Sequence, residues 1–331
     1  MALDAYFCDV GSLAAEGLQA DYGQPVVLVD LARLDPAEAA RLHHLPPCPV
    51  IGIGDAAHPL AARMDVVVAG VPQARGLVAN ITAQPMAAAV IAELLRLLPG
   101  LSVEAGLVAE SLAYGMLQGS AEHRGWLAGR SATAPQPSGV LLMERRAEAL
   151  WAVIDRPWAR NEVDRPMRDA LDEMFTLVSL DDEIDRVVLC GRGRTFCMGA
   201  DLAEFGTTSD PATAHAIRRH SLPARLIARV ADRFEVRIGG ACVGSGLEMA
   251  AFASRIVASE AAWFQLPELA MGILPGAGGC VSLTRRIGRQ RTAYMILSGK
   301  RISAALAHDW GLVDCLVDEA ALYEGGGDIL G

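Results

Sequence analysis

The stretch GGACVGSGLEMAAF, residues 239–252, reads as a strand that runs into a glycine turn and then an apolar helix. Glu248 falls where that helix asks for a core residue. A second acid, Glu268, is set in the equally apolar stretch FQLPELAMGILPGAGG, residues 264–279. A carboxylate is costly to bury without partners. Two in one apolar pocket would have displaced pKa values, suited to general acid and base work near neutral pH. The residues alone equally allow Glu248 to be a first-turn acid favoured by the helix dipole, and Glu268 an exposed loop acid.

The turn at 242–248 has a counterpart. RTFCMGAD (194–201) follows the strand DRVVLCG and precedes a short helix, just as CVGSGLE follows a strand and precedes one. Each turn frees backbone N–H groups at a helix start, a natural site for negative charge. One donor from each would form an oxyanion hole. Glycines at strand-to-helix turns are also common where no ligand binds.

Outward from these motifs, short apolar strands alternate with helical patterns along the whole chain, which predicts an α/β fold. GRSATAPQPSG (129–139) breaks all periodicity. We therefore expect an N-terminal α/β domain over 1–128 that ends in helices, a linker over 129–138 and a second domain over 139–331. The early helix is expected in DPAEAARLHHL, capped at Asp35. With 331 residues, 52% hydrophobic and 21% charged, the chain can bury a sizeable core. A net charge of −10 argues against nucleic acid or an anionic membrane as partner. Seven cysteines show neither CxxC nor metal spacing and read as reduced thiols. MALDAYFCDVG has no basic n-region, and QPMAAAVIAELLRLL carries Glu93 and Arg96 and is too short for a membrane span. A cytoplasmic protein with no metal is expected.

Five segments appear in order: IDRPWARNEVDRPM, GRGRTFCMGADLAEF, GSGLEMAAFASRIVAS, AWFQLPELAMGILPGAGGCVSLTRRIG and ILSGKRISAALAHDWGLVDCLVD. Together they resemble the crotonase family of enoyl-CoA hydratases and isomerases over about residues 139–318. The resemblance implies a spiral of ββα units, usually assembled as trimers or hexamers. It implies an acyl-CoA substrate, with coenzyme A as part of the thioester and no cofactor required. It matches Glu248 and Glu268 to the two catalytic glutamates, and the Met198 and Ser245 amides to the oxyanion hole. The implied reaction is syn addition of water to a 2-enoyl-CoA. Double-bond isomerisation through one mobile glutamate, other enolate chemistry, or a catalytically silent scaffold subunit are the alternatives. This sequence departs from the family in FEVRIGGAC, where an apolar run with Pro is usual, and in Ser254, where Asp is common. The family also continues through several helices after GLVD, which close the site and build the trimer; here EAALYEGGGDILG follows.

CPVIGIGDAAHPLAARMDVVVAG (48–70) parallels FEVRIGGACVGSGLEMAAFASRIVAS (234–259): strand, small-residue turn, Ala-rich helix, strand. Residues 84–128 are similar to the family's helical tail. This suggests a degenerate crotonase-like half over 1–128 whose helices dock on the catalytic half in place of the tail. GIGDAA (52–57) fits a dinucleotide pattern but lacks the downstream acid. His43 and His44 read as a surface pair. TRRIGRQR (284–291) and Arg218, Arg219 and His220 read as solvated faces or phosphate contacts, and Trp263 as core or acyl-pocket lining.

Overall fold

The computed structural model describes residues 3–8, 24–35, 44–131, 134, 136–325 and 329. The helix expected after Asp35 and His43 lie outside the described residues. Strands β4 (Val140–Arg146) and β5 (Ala149–Asp155) form an antiparallel hairpin. From there the chain winds as a spiral. In successive turns it lays one strand in a large sheet and one in a small sheet. The large sheet receives β6 (Arg186–Gly191), β8 (Phe234–Ile238) and β10 (Arg255–Ser259). The small sheet receives β7 (Thr195–Cys197), β9 (Ala241–Val243) and β11 (Trp263–Gln265). Adding β12 (Ile302–Ser303) and β13 (Cys315–Val317), the orders are β13-β10-β8-β6-β5-β4 and β12-β11-β9-β7. This is the ββα spiral of the crotonase fold.

The polar FEVRI strand has a local reason. Glu235 is buried against Arg237 at 2.8 Å, and Arg237 donates to the carbonyls of Leu322 at 3.0 Å and Glu324 at 2.8 Å. The segment after β13 thus covers this face of β8 and supplies its polar partners. Ser254 takes over a local bonding role: its hydroxyl donates to the Phe234 carbonyl at 3.0 Å.

The N-terminal segment contributes a third, parallel sheet of β1 (Val27–Asp30), β2 (Val50–Ile53) and β3 (Val66–Val68). Its register mirrors the large sheet. Val27 pairs with Val50, and the Asp65 amide donates to the Val50 carbonyl at 2.9 Å. Val187 pairs with Phe234, and the Ser254 amide donates to the Phe234 carbonyl at 2.9 Å. We propose on this register that the segment is a decayed copy of β6-β8-β10, with Asp65 at the place of Ser254. The Ala-rich helix expected between β2 and β3 is not formed; Ala61–Arg63 is a single 3-10 turn. Asp55 Oδ1 accepts the Ala57 amide at 2.9 Å and His58 Nδ1 the Leu60 amide at 3.2 Å, and such local bonds compete with a helix.

Four helices follow: α1 (Val71–Ala83), α2 (Pro85–Leu97), α3 (Val103–Gln118) and α4 (Ala121–Ala128). Ser102 and Ser120 cap α3 and α4, accepting the Ala105 amide at 3.2 Å and the His123 amide at 3.1 Å. Among the described residues no single helix is long and apolar enough to cross a membrane. These helices dock on the second segment. There α5 (Arg165–Leu180) precedes α6 (Pro211–Ser221), α7 (Ala224–Arg229) and α8 (Ser245–Ala250). Two more, α9 (Gly279–Ile287) and α10 (Arg289–Ser298), are divided at Gly288. Helix α3 lies against α6 and α9, and one continuous hydrophobic cluster joins both segments.

Asp65 ties the halves together. It is 1% exposed, pairs with Arg96 of α2 at 2.9 Å and Arg289 of α10 at 2.8 Å, and accepts the Val50 amide at 2.8 Å. Removing one partner of a buried charge cluster strands the others. Asp65→Ala is therefore expected to cost about 3–5 kcal/mol of unfolding free energy, measured by urea denaturation.

Candidate active site

The small sheet positions the chemistry. Parallel pairing of β7 with β9 brings Cys197 opposite Cys242, so the turns that follow them emerge side by side. Met198, Gly199 and Ser245 therefore line one cavity, of about 650 Å³, together with Glu248 and Glu268. Tyr114 and His123 of the N-terminal helices line it too.

Glu248 sits in the first turn of α8 and is 2% exposed. Its Oε2 accepts the Ala277 amide at 2.6 Å and the Gly279 amide at 2.9 Å. Both belong to the loop and first residue that open α9. Glycine is required at 279 by close approach: a Cβ there would lie 2.3 Å from Glu248 Cγ. Burial raises the Glu248 pKa to about 7, and the two amide bonds oppose the rise.

Glu268 opens a 3-10 turn, Glu268–Met271, at the mouth of the same loop, and is 8% exposed. Its Oε2 is buried and has no hydrogen-bond partner. Burial first, and then the nearby Glu248 charge, hold its pKa well above the ordinary carboxylate range. The exposed-loop reading of this acid is thus replaced by a buried one. The neighbouring Ser245 hydroxyl is likewise buried without a partner.

The Ser245 amide stands at the first position of α8, where no intrahelical acceptor exists. The Met198 amide donates to the Arg160 carbonyl at 3.2 Å. Arg160 and Asn161 both hold left-handed backbone, φ 52° and 55°. The Asn161 side chain donates to the Thr195 carbonyl at 2.7 Å and the Arg192 carbonyl at 3.0 Å, which fixes that bend against β7.

A third acid was not singled out in the sequence. Glu110 of α3 is 2% exposed and accepts the Gly278 amide at 2.7 Å and the Val281 amide at 3.2 Å. Burial, then the Glu248 charge, raise its pKa well above the usual range. The signal was the one that marked Glu248: an acid on the buried stripe Gly106, Leu107, Glu110, Ser111 of an apolar helix. His123 Nδ1 lies 2.8 Å from the Met271 carbonyl, which sets it as the donor nitrogen, and burial lowers the ring's pKa.

Other sequence candidates fall elsewhere. Arg285 donates to the Leu101 carbonyl, Arg286 pairs with Asp314, Arg289 with Asp65, and Arg291 lies over Trp310. Arg286 and Arg289 are half-buried struts, Arg285 and Arg291 are exposed, and none of these arginines lines the cavity. Trp263 lies under Arg301 at 3.9 Å, away from the cavity wall. Arg219 pairs with Glu104, and Arg218 lines the cavity. The GIGDAA loop leads into the 3-10 turn rather than the helix a dinucleotide site needs.

A family model described as enoyl-CoA hydratase/isomerase matches residues 146–325. The chain belongs to this family of enzymes acting on CoA thioesters. It is 35% identical over 173 residues to the 2,3-dehydroadipyl-CoA hydratase of Escherichia coli, covering 52% of this chain and 67% of that one. It is 33% identical over 178 residues to a mevalonyl-coenzyme A hydratase of Beauveria bassiana, covering 51% and 64%. The match thus spans about two thirds of these relatives' lengths. The crystal structure of an enoyl-CoA hydratase from Bacillus anthracis superposes with a TM-score of 0.51 at 27% identity, covering 57% of this chain and 74% of that one.

The raised pKa values set a stability trend. Between the unfolded value of 4.5 and the folded value, the native state binds more protons than the unfolded one. Stability therefore falls as pH rises above 4.5, through about 7 for Glu248, and Glu268 adds to the fall in the same direction. Glu268→Gln cannot ionise, so its melting temperature should gain on the wild type as pH rises from about 5, read by calorimetry.

Proposed function

We propose that the chain hydrates a 2-enoyl-CoA by syn addition, through a thioester enolate. The observation that carries this reading is the pair of buried carboxylates, Glu248 and Glu268, whose surroundings separate their ionisation. In this reading Glu248, whose rise is opposed by two amide bonds, works ionised, and Glu268, raised by burial and by the Glu248 charge, works protonated. Glu248 then takes a proton from water as the oxygen bonds to Cβ. The electron pair of the double bond moves to the thioester oxygen, and Glu268 delivers its proton to Cα. Proton exchange with solvent resets both acids. The Ser245 and Met198 amides would hold the enolate oxygen, Met198 by sharing or releasing its 3.2 Å bond to Arg160. Coenzyme A enters as part of the substrate, and the reading needs no cofactor. It extends to a cytoplasmic homo-oligomer, trimer or hexamer, as the family resemblance implies.

Loss of the enoyl thioester absorbance tests the reaction. Glu248→Gln and Glu268→Gln should each lower kcat by about 10²–10⁴. In the wild type, kcat/KM should rise as pH passes through about 7, because hydration needs Glu248 ionised. Isomerase activity that survives Glu248→Gln but not Glu268→Gln would assign one-acid chemistry instead. No turnover on short, long or aromatic enoyl-CoAs would point to the silent scaffold.

A further inference from the structure

We propose that the cavity is built for an acyl chain with a negative charge at its far end, and that Arg218 is the residue that binds it. The inference rests on the acyl-CoA reading above and names the substrate class within it.

Arg218, on α6, lines the cavity among apolar neighbours, Ala214, Ile217 and Leu222. Its guanidinium lies 4.3 Å over the Tyr114 ring. Its three nitrogens donate to Ser111 Oγ at 3.3 Å, Gln118 Oε1 at 3.2 Å and the Ser111 carbonyl at 3.2 Å. Ser111, Tyr114, Gly115 and Gln118 follow the spacing of one face of α3. Gly115 leaves the slot open: a Cβ there would lie 3.3 Å from a terminal nitrogen of Arg218. Helix α3 is thus shaped to hold this one side chain in a fixed orientation.

Every one of these partners is neutral. The adjacent Arg219 pairs with Glu104, Arg286 with Asp314 and Arg289 with Asp65, but among the described residues Arg218 forms no ion pair. Burial lowers its pKa and outweighs the opposing influence of Tyr114 and the buried Glu110, the mark of a cation taken out of water without full compensation. A guanidinium has five N–H donors, so three long bonds leave about two unspent. A planar, pre-oriented fork with spare donors in an apolar wall is suited to a carboxylate.

The position favours the acyl end. The Tyr114 ring packs against Gly276, in the loop whose Ala277 amide bonds Glu248, and Arg218 stacks on that same ring. One aromatic ring thus links Arg218 to the loop that holds the reacting acids. The phosphates of coenzyme A are the other source of an anion, and the test below separates the two.

Calorimetric titration of the full chain with saturated CoA monothioesters of dicarboxylic acids, succinyl to suberyl, and with their methyl-ended counterparts reads the preference directly. The best carboxylate-ended thioester should bind about tenfold or more tightly than its methyl-ended match. Arg218→Met should remove that preference and leave the methyl-ended series unchanged, and Arg218→Lys should restore part of it. Equal wild-type affinity for the two series overturns the proposal. So does an equal loss for both series in Arg218→Met, which makes the residue a strut between α6 and α3. Weaker binding of free coenzyme A, with acyl-pantetheines unaffected, overturns it in favour of a phosphate contact. Saturated thioesters bind without reacting, so these results stand whether or not the chain hydrates enoyl-CoA. A failed hydration assay counts against the proposed reaction alone.

Discussion

The start of α9 is the constraint on which the site depends. A helix start leaves backbone N–H groups without intrahelical partners, and buried ones must find acceptors. Here the amides of 277, 278, 279 and 281 are taken in alternation by two buried carboxylates, Glu248 from α8 and Glu110 from α3. One acceptor comes from each half of the chain. The contact that docks the N-terminal helices is therefore also the contact that fixes the loop around the catalytic candidates.

Burial and hydrogen bonding act in opposite senses on these acids, and their balance differs between sites. Glu248 receives two amides on one oxygen, and its pKa rises only to about 7. Glu268 is desolvated in the same cavity, its Oε2 has no partner, and burial and the Glu248 charge hold its pKa well above the ordinary carboxylate range. The difference in environment arises from where the amides point rather than from a difference in residue type. Helix α3 adds Tyr114 and Gln118 to the cavity lining, so part of the burial behind both shifts comes from the docking.

Much of this was legible in the chain. An acid where a buried helix asks for a core residue marked Glu248, two glycine turns after strands marked a pair of free helix-start amides, and the family resemblance pointed to Met198 and Ser245 among them. The α/β class followed from alternating strand and helix patterns. Other features were set by tertiary contacts that no local pattern encodes. Glu110 lies on an Ala-rich helix far from the motifs, and its role exists only because α3 meets α9. The arginines of TRRIGRQR looked solvated in sequence, yet Asp65 and Asp314, distant in the chain, turn Arg289 and Arg286 into internal struts. The Ala-rich segment after β2 failed as a helix because Asp55 and His58 bond its backbone locally. The bond from the Met198 amide to Arg160 depends on a left-handed bend that residue types alone did not announce.

The central claim is that one helix start, shared by carboxylates from both halves, holds the site together. Hydrogen exchange at residues 277–281 in the full-length Glu110→Ala variant tests it most directly. The account predicts that protection falls at Gly278 and Val281, which bond Glu110, and also at Ala277 and Gly279, which bond Glu248. Loss confined to 278 and 281, with the Glu248 amides as protected as in the wild type, would contradict it.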